Sequence, residues 1–169
     1  MTRPILADAF DHHIWATLKL IDVCLPLSEE QLASTVPGTF GSILDTWRHL
    51  VGADAGYLFA MTAGRSPEIE EDAMDLAALR AVMAGQGERW APVLAEHVDP
   101  DVDVIRKRDD GSVSHAPAGV RLAQVLDHGT DHRSQICTAL TALGIEPPEI
   151  DAWAMAWEQG RHWEAEAAT

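Results

Sequence analysis

Apolar residues return every three or four positions over most of the chain, the period of a helix that buries one face. From about residue 4 to 24 they fall at Ile5, Leu6, Phe10, Ile14, Leu18 and Ile21, and Pro26 ends the segment. Ser28-Glu29-Glu30 predicts a short helical turn before the Pro37-Gly38 loop. Gly41-Ser42 then offers an N-cap to a second long helix over about residues 42–61. That helix is expected to bury Ile43, Trp47, Leu50, Tyr57, Leu58 and Met61 before Gly64 and Pro67 stop it. A third, over about residues 74–97, carries Leu76, Leu79, Val82, Met83, Trp90, Val93 and Leu94, with Gly85, Gly87 and Pro92 weakening it enough to admit a kink.

The period changes between residues 102 and 115. There Asp110-Gly111 stands between two short β-prone runs, the pattern of a small hairpin. Two strands cannot enclose a core, so the hairpin is expected to decorate a helical body. A fourth long helix follows over about residues 118–143, closed by Gly144 and Pro147-Pro148. A last helical segment over about residues 149–163 places Trp153 and Trp157 one turn apart, where core burial is expected. The predicted fold is all-α: an up-and-down four-helix bundle with a small hairpin before the fourth long helix and an additional C-terminal helix. A length of 169 residues, 47% of them apolar, suits one domain over residues 1–169.

Charge narrows the partners. With 12 Lys and Arg against 27 Asp and Glu, the formal charge of −15 argues against nucleic acid, whose phosphates need clustered cations, and against anionic membrane surfaces. No apolar run approaches the roughly 20 residues that cross a bilayer, so a cytoplasmic protein is expected. Cys24 and Cys137 are too few for a disulfide framework and lack metal-site spacing; both are expected to be reduced, buried small hydrophobes.

The candidate chemistry lies in histidines. His128 and His132 are four apart and share a face of the fourth helix. That face falls in or beside the stripe Leu122, Val125, Gly129, Ile136, Ala139 and Leu143, so the pair points inward, with Gln135 on the same line. Two imidazoles in an apolar interior are costly unless each nitrogen finds a partner, and a divalent cation supplies one to both. His49, in the middle of the second helix, is the best third ligand; Ser42, Asp45, Gly52, Ala53, Gly56 and Ala60 flank its line and leave room for a metal and a ligand. Taken singly, each histidine is also compatible with a core side chain hydrogen-bonded to backbone.

The run Asp127-His128-Gly129-Thr130-Asp131-His132-Arg133-Ser134-Gln135-Ile136, followed by Leu143-Gly144 and Pro147-Pro148 and then Asp151, resembles the C-terminal motif of the DinB family. The stretch from Thr39 through His49 to Asp54 resembles that family's other block. The likeness runs from Trp15-Ala16 to Asp151, and Ser134 departs from the glycine common at its position. The resemblance implies a four-helix bundle, often a homodimer, with one metal on three histidines, here His49, His128 and His132. It does not imply DNA polymerase activity. Relatives of this kind include S-transferases and isomerases that use bacillithiol or mycothiol.

Three protein nitrogens leave a coordination position for water or substrate, as catalytic sites require, and imidazole suits zinc or nickel, with iron also compatible. The leading expectation is a thiol-dependent S-transferase: the ion lowers the pKa of a low-molecular-weight thiol, which attacks an electrophile. A hydrolase with Asp45 as base is the second expectation, although Asp45 can equally hydrogen-bond His49 or solvent. A non-catalytic metal-binding stress protein is the third. Gln135 is placed to hydrogen-bond near the site. Arg133 is expected in a surface salt bridge, His12 and His13 in surface or packing roles, and His115 in solvent. The expected partner is a small-molecule substrate.

Overall fold

Ser42 shows how local sequence sets the first site-bearing helix. The Ser42 hydroxyl accepts the Asp45 N–H at 3.1 Å, and the Asp45 carboxylate reaches back to Ser42, closing a capping box at the start of α3. The computed structural model describes residues 3–96, 99–108 and 110–165, and within them the chain is mostly helical. In order come α1 (Ala7–Cys24), α2 (Glu29–Leu32), α3 (Ile43–Met61), a 3-10 turn (Glu71–Ala73), α4 (Leu76–Ala95), β1 (Asp103–Lys107), β2 (Val113–Pro117), α5 (Ala118–Ala142) and α6 (Ala152–Glu158). The third long helix continues through Pro92 to Ala95, and its expected end at His97 lies outside the described residues.

Four long helices, α1, α3, α4 and α5, pack around the core in two clusters that reveal their directions. At one end Leu20, Ile21 and Cys24 of α1 meet Ile43, Trp47 and Leu50 of α3, Leu76 and Leu79 of α4, and Ile136 and Leu140 of α5. At the other Phe10 and Ile14 of α1 meet Leu58 of α3, Met83, Trp90 and Val93 of α4, and Val125 of α5. Helices α3 and α4 therefore run the same way, antiparallel to α1 and α5. The strict up-and-down order expected from sequence does not hold. Its physical reason is the connection over residues 62–75: Ala63 (φ 50°) and Gly64 (φ 82°) reverse the chain after α3. The chain then returns along α3, where Arg48 Nε donates to the Met74 carbonyl at 3.0 Å.

The hairpin forms as predicted, antiparallel with Val104 opposite Ala116 and Arg106 opposite Ser114. It is fastened to the body by Arg121 of α5, whose guanidinium donates to the Val104 carbonyl (2.8 and 3.2 Å) and the Ser114 carbonyl (3.2 Å). The last segment departs from expectation. Helix α6 ends at Glu158 rather than near Trp163, and Gly160 takes a positive φ just beyond it. Only Met155 of α6 is buried; Trp153 and Trp157 are 68% and 60% exposed, because α6 lays a single turn-face against α1.

Candidate metal centre

Three imidazoles converge from two helices: His49 from the middle of α3, and His128 and His132 one turn apart on α5. Their ring centroids are 4.9 Å (His49–His128), 4.8 Å (His49–His132) and 4.4 Å (His128–His132) apart. One nitrogen from each ring lies within 4.8 Å of the others, and the Nε2 atoms of His49 and His128 are 3.1 Å apart. A tetrahedral zinc with nitrogens at about 2.0–2.1 Å holds its donors about 3.3 Å apart. The three-histidine cluster is thus compatible with a metal-binding site.

The surroundings place the proton on one ring. Gln135 Oε1 accepts the Phe40 backbone N–H at 2.9 Å and sits 3.0 Å from His132 Nδ1, while its Nε2 donates to Asp131 at 2.9 Å. An amide oxygen only accepts, so His132 carries a proton on Nδ1, which leaves the Nε2 lone pair free toward the cluster. The Phe40 ring stacks on His49 at 4.0 Å and 9°, and Tyr57 meets His128 edge-on. Burial, helped by the neighbouring His132 and His49, pulls His128 down to about 4; burial and His132 also lower His49, with the Glu71 charge working against them. His49 and His128 are consequently neutral at neutral pH, the state in which an imidazole can ligate a metal.

The other residues singled out from the sequence take separate places. The Asp45 carboxylate is engaged at the Ser42 cap and lies 3.9 Å from Arg48. The room expected beside His49 is filled from elsewhere: a Cβ on Gly52 would stand 2.5 Å from Glu71, and one on Gly56 would stand 2.9 Å from Arg106 of the hairpin. Glu71 and Arg106 thus reach the His49 face of α3. Sequence reasoning missed both, though the small residues on that face were the signal. His115 pairs with Asp103 at 2.7 Å, and His12 bonds the Ile150 carbonyl at 2.7 Å.

One expectation fails beside the cluster. Arg133 is not on the surface: it is buried, and its Nη1 donates to His13 Nδ1 at 2.9 Å and Thr17 Oγ1 at 3.1 Å. His13 is wholly buried as well, with Nε2 2.8 Å from Asp54 Oδ2. The reason is Gly129, whose missing side chain leaves the space that the His13 ring occupies. His13, Asp54 and Arg133 form one buried chain linking α1, α3 and α5.

Among the described residues no helix is long and apolar enough to cross a membrane. None of the curated proteins matches the chain. In fold, it is similar to a DinB-like protein from Bacillus cereus, whose crystal structure superposes with a TM-score of 0.65 at 17% identity, covering 89% of this chain and 100% of that one. The DinB family model matches residues 1–166. With the fold and the histidine cluster agreeing with that match, the chain belongs to the DinB family.

Proposed function

We propose that this protein is a divalent-metal enzyme of a single domain built on a four-helix bundle. In this proposal His49, His128 and His132 hold one zinc or nickel ion, with iron as a further fit, and the reaction is thiol-dependent S-transfer. The observation that carries it is the meeting of three imidazoles from α3 and α5, one nitrogen of each turned toward the others. Bound there, the ion would lower the pKa of a low-molecular-weight thiol so that thiolate is present at neutral pH. The sulfur forms a bond to an electrophilic carbon, whose leaving group departs with the electron pair. Phe40 and Tyr57 wall the site with aromatic surface that suits an apolar electrophile.

Neither cysteine of the chain is suited to supply the thiolate. Burial pushes the Cys24 thiol up to about 11 inside the core, and it raises the Cys137 thiol too, so the thiolate must come from a cosubstrate. The hydrolase alternative draws its support from Glu71 rather than Asp45, because the Glu71 carboxylate lies over Gly52, one turn from His49.

Elemental analysis of tag-free protein tests the site: about one metal per chain is expected, and none in the His128→Ala/His132→Ala double variant. Metal retained at full stoichiometry in that variant would overturn it. Thiol consumption with model electrophiles tests the reaction; turnover without any thiol, abolished by Glu71→Gln, would favour the hydrolase. The proposed setting is cytoplasmic, with a small-molecule substrate and no nucleic acid or membrane. The proposed assembly is a homodimer, which sedimentation equilibrium would register as twice the chain mass.

A further inference from the structure

Behind the histidine cluster lies a polar chain that a helical core has no packing reason to keep. An arginine nitrogen can only donate, so Arg133 Nη1 at 2.9 Å from His13 Nδ1 fixes that nitrogen as the acceptor. The His13 proton must then be on Nε2, which donates to Asp54 Oδ2 at 2.8 Å. All three side chains are buried, at 3%, 1% and 1% exposure for Arg133, His13 and Asp54. The chain is charge-balanced, Arg133 against Asp54, but it is not closed. Asp54 Oδ1 is buried and has no hydrogen-bond partner.

One ring away, His128 has the complementary defect. Its Nε2 faces His49 in the cluster, and its Nδ1 is buried without a partner. An imidazole that gives its Nε2 lone pair to a metal carries its proton on Nδ1, and a buried N–H of this kind needs an acceptor. His13 packs in the gap left by Gly129, the residue after His128, so the Asp54 carboxylate that His13 holds is delivered to the same stretch of α5.

We propose that Asp54 is a positioning residue of the metal centre: its Oδ1 and His128 Nδ1, both unpaired in this structure, come together when the ion binds, so that the carboxylate takes the Nδ1 proton of His128 in a hydrogen bond while Arg133 and His13 orient it from behind. This rests on the three-histidine reading above. Asp54 serves because a carboxylate accepts twice, from His13 Nε2–H and from His128 Nδ1–H. Asparagine accepts with one atom only and sets an N–H against one of the two donors. Gln86 is likewise buried with neither amide atom partnered, and its replacement controls for the loss of a buried polar side chain that lies outside this chain of contacts.

The test compares zinc affinity, by competition with a chromophoric chelator, in wild type, Asp54→Asn and Gln86→Met. It adds two-bond proton–nitrogen spectra of the zinc-loaded proteins labelled at histidine nitrogen. Expected are a 10–100-fold weaker affinity for Asp54→Asn, the cost usual for losing such a partner, and an unchanged affinity for Gln86→Met. The wild-type His128 Nδ1–H should be deshielded and protected from exchange, a signal that needs no variant to fold. Wild type that binds zinc with an exchange-averaged His128 Nδ1–H, or Asp54→Asn that binds as tightly as wild type, overturns the role of Asp54 alone. Wild type that binds no zinc overturns the three-histidine reading and this inference with it.

Discussion

At the scale of single residues, Gly129 decides what lies behind the site. A Cβ there would run into the His13 ring and come within 2.9 Å of Arg133 Nη1, both held in place by their own hydrogen bonds. Gly129→Ala should therefore destabilise the protein by about 1–3 kcal/mol despite alanine's better helix propensity. Gly85, in α4 with open space where a Cβ would go, is the control: Gly85→Ala should gain about 0.5–1 kcal/mol. Denaturant midpoints of the two variants check both signs. His128 adds a pH dependence to the metal-free protein. Its folded pKa of about 4 lies below the unfolded value near 6.5, so between these values the unfolded chain binds more protons. The contribution is fully present above pH 6.5 and is lost as pH falls toward 4. Chelator-treated protein should accordingly show a midpoint that drops across that window, and a His128→Gln variant a shallower drop.

Among the elements, the hairpin is more than an ornament, because Arg121 ties it down and Arg106 reaches from it to the His49 face of α3. Arg121→Ala removes the buried donor to two strand carbonyls, a loss of about 1–3 kcal/mol. Its distinctive readout is local: amides of residues 103–107 and 113–117 should exchange faster while those of α3 hold. The sequence shows the long helices, the hairpin and the caps plainly, since each is written in local spacing and in turn or capping residues such as Ser42 and Gly111. It hides what depends on the partner across the core. Arg133 looks like a surface residue by its angle on α5, and only the space above Gly129 brings His13 to it. Trp153 and Trp157 look like core by composition, yet α6 is too short and too shallowly seated to bury them. Helix direction is equally hidden, because periodicity carries no sign and the return over residues 62–75 has no spacing signal.

For the whole molecule, the site joins helices that arrive by different routes. Its histidines come from α3 and α5, which run antiparallel, and the polar chain behind them adds α1. A ligand that binds only this assembled arrangement stabilises all of it by mass action, by about 2.7 kcal/mol when the free ion is at 100 times its dissociation constant. For a chain of this size that corresponds to a rise of about 5–10 °C in Tm. Thermal unfolding of chelator-treated protein should therefore rise by that amount on adding zinc or nickel and should not respond to magnesium, which prefers oxygen ligands. His49→Ala leaves two imidazoles on one helix and breaks the link to α3, so its melting should be nearly insensitive to the metal. The same variant without metal should melt close to the metal-free wild type, because His49 is half-buried and lines no core cluster. A metal-induced rise that survives His49→Ala would mean that the ion ties down some other part of the fold.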